Sequence, residues 1–93
     1  MIGKTVPRFW DMYNVLPSEV KTLAKKAYRQ WKTDPHQGSL NFERLGKNLW
    51  SVRVGSHYRV LGRKSADTED GEEVFIWHWI GTHAEYDRLI KQR

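Results

Sequence analysis

Apolar side chains at Val20, Leu23, Ala24, Ala27, Tyr28 and Trp31 recur at the three- and four-residue intervals that lay them along one stripe of an α-helix. The stripe predicts a helix over Pro17–Lys32. Pro17 suits its first turn, where a missing N–H is not needed, and Asp34-Pro35 with Gly38 ends it. Lys21, Lys25, Lys26, Arg29 and Lys32 fall largely on the outward side and read as a solvated face.

Further on the period changes to two. Trp50, Val52 and Val54 share one side of a strand, and Leu49, Ser51 and Arg53 the other. Gly55-Ser56 turns the chain, after which Tyr58 and Val60 alternate with His57, Arg59 and Leu61, so residues 49–63 read as a β-hairpin. Arg53 and Arg59 then share a face, and both read as exposed. Residues 65–72 (SADTEDGE) read as a polar, acidic loop. The almost wholly apolar run from Val74 to Ile80 reads as a central strand covered on both faces.

Gly81 breaks that run, and Thr82-His83-Ala84-Glu85 has the spacing of a capping box that opens a short helix from His83 to about Lys91. Residues 40–46 look like one more strand, and Ile2 to Phe9 like a weaker one interrupted by Pro7. The expected order is β-α-β-β-β-α. This is an α+β fold: a mostly antiparallel four- to five-stranded sheet, one long packed helix and a short C-terminal helix. With 93 residues, 39% of them hydrophobic, the chain reads as a single domain over 1–93.

Charge and composition narrow the function. Sixteen Lys and Arg against eleven Asp and Glu give a net charge of +5, and most of the acids lie after residue 66, so the first two-thirds is strongly basic. That is the electrostatic footprint of a polyanion binder. The absence of cysteine excludes disulfides and thiolate metal ligands. No segment has the length and apolarity of a bilayer span or the core of a signal peptide, so a cytoplasmic protein with no membrane partner is expected.

The four histidines, His36, His57, His78 and His83, lack the spacing of a metal site, and neither a metal nor another cofactor is expected. His78, between two tryptophans, reads as a core or interface histidine. Without a nucleophile elbow or a glycine-rich phosphate loop, esterase, protease and nucleoside-triphosphatase readings fall away.

What remains suits phosphodiester chemistry without metal: Arg53 and Arg59 from the hairpin, His83 and Tyr86 from the start of the last helix, and Glu43 and His57 nearby. RNA is cut when its own 2′-OH attacks the adjacent phosphate, which calls for a base at that hydroxyl, cations around the developing charge and an acid at the leaving oxygen. Arginine suits the second role because it stays charged and grips phosphate bidentately. Each residue also has an ordinary explanation. The arginines could be a cross-strand pair, His83 a helix-start residue, Tyr86 a core aromatic and Glu43 an exposed strand acid.

The string LGKNLWSVRVGSHYRVLG, an apolar strand after it and then IGTHAEYDRL resembles the RelE/ParE superfamily of bacterial toxins, as does the helix opened by LPSEVKTLAKKAYRQW. Nearly the whole chain lies in that family's order, the first strand least. The resemblance implies the toxin of a type II toxin-antitoxin module, an mRNA interferase that cleaves mRNA in the ribosomal A site.

Carried over by position, Arg53 and Arg59 are similar to the hairpin cations, and His83 to the Arg or His at the last strand-to-helix junction. Tyr86 is similar to the C-terminal tyrosine, and Glu43 falls near the strand acid that serves as base in some members. Glu43 or His57 then reads as base and His83 as acid, with Arg44, Lys47 and Arg63 as further RNA-binding cations. Ser51 departs from the pattern, standing where certain ribosome-dependent cutters have Lys. A cognate antitoxin, acidic and partly helical, is the implied protein partner, and Trp10 or Trp31 could anchor it. Two other functions stay open: a ParE-like inhibitor of DNA gyrase, and a catalytically inactive domain that only binds its antitoxin or nucleic acid.

Overall fold

The computed structural model describes residues 1–91 and resolves them into a five-stranded sheet with helices on both faces. Strand β1 (Ile2–Thr5) is followed by helix α1 (Pro7–Asn14) and helix α2 (Ser18–Thr33). A 3₁₀ turn (Gly38–Leu40) leads into β2 (Glu43–Arg44), β3 (Leu49–Val54), β4 (Tyr58–Glu69), β5 (Glu72–Thr82) and helix α3 (His83–Lys91). The spatial order is β1-β5-β4-β3-β2, with β1 parallel to β5 and every other pair antiparallel. The α+β architecture of the sequence reading holds.

The helix predicted over Pro17–Lys32 is α2, which buries Val20, Ala27 and Trp31. Trp31, 1% exposed, is the centre of the core and makes edge-on contacts with Phe42, Phe75 and Trp77 at centroid distances of 6.0, 5.6 and 5.2 Å. Val52 and Val54 of the hairpin close this core from the sheet side, the face expected for them.

Three expectations are corrected. The strand expected from Ile2 to Phe9 stops at Thr5, and Pro7 opens a helix instead of interrupting a strand, because its fixed φ and missing N–H suit a helix start; α1 then buries Phe9 and Tyr13. The strand expected over 40–46 is reduced to Glu43–Arg44 behind the 3₁₀ turn. The acidic stretch 65–72 is no loop: β4 and β5 continue as a paired arm to a tight turn at Asp70-Gly71, whose φ values of 51° and 78° are those of a hairpin turn. Exposed on both sides, that arm has no hydrophobic alternation to announce it. Ion pairs hold it instead, Lys64 with Glu73 and Lys4 with Glu69. The element order is therefore β-α-α-β-β-β-β-α.

A bulge decides which side chains meet. Leu61 pairs with Trp79 and Gly62 with Trp77, so His78 is the extra residue of β5. Trp77 then faces the core under α2, where its ring covers Gly62 so closely that a Cβ there would stand 2.3 Å from Cε3. Trp79 faces the other side of the sheet, towards α3.

Candidate phosphate site

The site forms on the α3 side of the sheet, at the end where β3 and β4 turn. Arg53 and Arg59 are direct cross-strand partners, and Glu43 lies opposite Ser51 one row further along. The start of α3 is fastened to the same turn, with the His83 backbone N–H donating to the His57 carbonyl at 2.7 Å. The capping box forms as its spacing predicts. The Thr82 N–H and hydroxyl donate to Glu85 Oε1 at 2.9 and 3.0 Å, and the Glu85 N–H donates to Thr82 Oγ1 at 3.1 Å. Those bonds favour the carboxylate and hold the Glu85 acid below its ordinary range.

Arg59 is the centre of the cluster, and it is buried, 7% exposed, rather than exposed as the alternation suggested. The reason is α3, which folds back over this face and brings Tyr86, 4% exposed, under the guanidinium at 5.0 Å from Cζ to the ring centroid. Arg59 Nη1 donates to Ser51 Oγ at 3.1 Å and lies 3.8 Å from Glu43 Oε1. Its Nε has no hydrogen-bond partner.

The other candidates take graded positions around this centre. Arg53 is exposed, its Nε donating to the Gly55 carbonyl at 3.1 Å. His83 is half exposed, with Nδ1 3.1 Å from Asp87 Oδ2 and its ring centroid 5.7 Å from that of Tyr86. The Asp87 carboxylate orients the ring. The His57 side chain is exposed on the turn, joined to His83 through its backbone.

Arg63 lies opposite Leu49, well along β4 from Arg59. Arg44 turns its guanidinium onto the Gly46 and Lys47 carbonyls at 2.9 and 3.0 Å, and with Lys47 and Lys64 it lines a separate pocket of about 390 Å³. The structure thus joins Arg53, Arg59, Glu43, Tyr86, His83 and His57 and leaves Arg44, Lys47 and Arg63 apart.

A larger concavity opens on the opposite face. Between α1, α2 and β1 lies a largely apolar cavity of about 610 Å³ lined by Phe9, Trp10, Tyr13, Tyr28, Trp31 and Trp77, with Lys25 and Arg29 among its polar residues. Trp10 and Tyr28 remain 44% and 42% exposed there. No periodicity in the sequence announces α1, and so none announces this cavity.

A scan against family models matches residues 18–88 to the ParE-like toxin domain. The same fold recurs in the YoeB/ParE toxin from Agrobacterium tumefaciens, at TM-score 0.67 and 19% identity over 89% of this chain and 99% of that one. It recurs again in the RelB-RelE antitoxin-toxin complex from Methanococcus jannaschii, at TM-score 0.66 and 16% identity over 91% of this chain and 96% of the matched one. Among curated protein sequences there is no match. The fold is that of the RelE/ParE toxins. The chain belongs to the ParE-like toxin domain family.

Proposed function

We propose that the chain is the toxin of a toxin-antitoxin module and cleaves mRNA, on the ribosome in the manner of its ribonuclease relatives, by attack of a 2′-OH on the adjacent phosphate without a metal ion. What supports the reading is a run of neighbours: Arg53 opposite Arg59, Glu43 3.8 Å from Arg59, and His83 beside the Tyr86 ring that lies against Arg59, so that cations, a carboxylate and an imidazole are drawn from one face of the sheet. Glu43, half exposed beside Arg59, takes the 2′-OH proton as O2′ bonds to phosphorus. Arg53 meets the phosphate from the solvent side, and Arg59 supplies positive charge from beneath. His83, oriented by Asp87, gives a proton to the departing O5′, leaving a 2′,3′-cyclic phosphate and a 5′-hydroxyl. His57 is the alternative base, at the same turn.

The partner is an acidic antitoxin segment. Its apolar side chains enter the cavity between α1 and α2, and its carboxylates meet Lys25 and Arg29.

Induced expression in a bacterial host, with mRNA 5′ ends and plasmid topology mapped together, tests the reading. New 5′ ends that disappear in Arg53→Ala and His83→Ala variants support it. Altered supercoiling with intact mRNA transfers the function to gyrase inhibition, and growth without either change leaves a binding domain.

A further inference from the structure

The sheet face that carries Arg59 also carries the indole of Trp79. Two cross-strand rows run side by side on that face, Arg53–Arg59–Gly81 and Glu43–Ser51–Leu61–Trp79. Trp79 starts in the second row, but its ring leans into the first. A Cβ built on Gly81 would stand 2.6 Å from Cζ2 and 2.7 Å from Cη2 of Trp79. The six-membered ring therefore lies against the backbone of Gly81, the cross-strand partner of Arg59. Only a residue without a side chain leaves room for it there.

The core does not account for this placement. Trp31 and Trp77 are 1% and 5% exposed in the aromatic cluster under α2, whereas Trp79 is outside that cluster and outside the shell packed against it, and remains partly exposed. Arg59 reaches from β4 towards Ser51 and Glu43, and the indole lies on the β5 side of the same strand. A phosphate held at the arginines thus has an aromatic surface on its flank. An aromatic ring beside an arginine, left partly exposed as Trp79 is, is a general means of holding a single-stranded base, since every base has a π-face and stacking needs no particular sequence.

We propose that Trp79, seated on Gly81, is the stacking platform for a nucleobase next to the phosphate that is cut. The proposal rests on the RNA reading of the site and adds to it the contact that places the substrate. Trp79 touches the base and not the reacting atoms, so its loss raises KM and leaves kcat nearly unchanged.

The test uses a single-stranded RNA whose cleavage position has been mapped with the wild-type protein. One version is made uncleavable by a 2′-deoxy substitution at the attacked nucleotide, and others also lack the base on one side of the phosphate or the other. With the intact RNA, Trp79→Ala weakens binding about tenfold, the size of one lost base stack, and Trp79→Phe restores most of it. Removing the stacked base from the RNA causes the same loss with wild type and no further loss with Trp79→Ala. If Trp79→Ala does not fold, Trp79→Phe carries the same comparison: a smaller loss on intact RNA and none on the abasic one.

Additive losses from the substitution and the missing base overturn the proposal, as does wild-type binding by a folded Trp79→Ala variant. Cleavage abolished by Arg53→Ala and His83→Ala alongside either result removes only the stacking role. Failure of the wild-type chain to bind or cut RNA, both free and in the presence of ribosomes, removes both that role and the reading of the site.

Discussion

The guanidinium of Arg59 lies 5.0 Å from the centre of the Tyr86 ring while its Nη1 bonds Ser51 Oγ at 3.1 Å, so one side chain ties α3 to the middle strands of the sheet. Arg59 is thus a structural contact as well as a candidate charge stabiliser. Arg59→Ala is expected to cost about 1–3 kcal/mol of stability, since a buried and hydrogen-bonded side chain is lost. At this chain length each kcal/mol lowers Tm by roughly 4–8 °C, which a thermal melt reads directly. Glu43→Gln, altering a half-exposed group 3.8 Å from the arginine, is expected to shift stability by about 1 kcal/mol or less while removing cleavage. Equal melting temperatures for wild type and Arg59→Ala would contradict the tie.

Gly62 is a steric position. Its absent Cβ would lie 2.3 Å from the Trp77 ring, inside a core with no slack. Gly62→Ala is expected to destabilise the fold by about 1–3 kcal/mol through overpacking, measured as a lower urea midpoint with an unchanged slope. An unaltered midpoint would mean that the Trp77 indole has another place to go.

Acid should weaken the protein in a window set by His78. Burial disfavours the charged imidazole, and the nearby charges of Arg63 and Arg8 add to this, so its folded pKa lies below the ordinary 6.5. The unfolded chain takes up the proton first. The contribution to stability is therefore fully present above pH 6.5 and is lost as pH falls from there through the depressed folded value. Denaturant titrations across that range should show a slope that is absent in His78→Gln.

A second window belongs to Glu85, whose carboxylate is favoured first by the Thr82 N–H and then by the Thr82 hydroxyl. Its contribution is present above the ordinary value of 4.5 and disappears as pH drops through the lowered folded value. Far-UV circular dichroism should show α3 fraying in that acid range in wild type. Glu85→Gln should lose helical signal already at neutral pH and show no such step.

Periodicity revealed whatever had one wet and one dry side. The stripe from Val20 to Trp31, the alternation in β3 and the capping box at Thr82 all correspond to elements found in the structure. What escaped notice had a different physical origin. Helix α1 spans eight residues, too few to display a helical period, and its opening proline also punctuates strands. The outer arm of β4 and β5 is wet on both sides. Arg59 sits at an alternating position that looks solvent-facing until α3 returns over it. Trp79 was hidden by a bulge, since a strict period of two would have put it beside Trp77. The candidate cluster itself could be named from residue types and order, but not the burial of its central arginine or the separation of Arg44, Lys47 and Arg63 from it.

The parallel pairing of β1 with β5 joins Ile2 to Val74 and Thr5 to Trp77, and the residues that finish the site, His83 and Tyr86, come later still. A chain emerging from the ribosome amino end first therefore has its hairpin arginines long before it has a sheet edge for its first strand or a helix to lie over Arg59. Such distant pairings are slow to form and close late. For a chain of a toxin family, this topology is a form of delay. The candidate site can assemble only once α3 has been made.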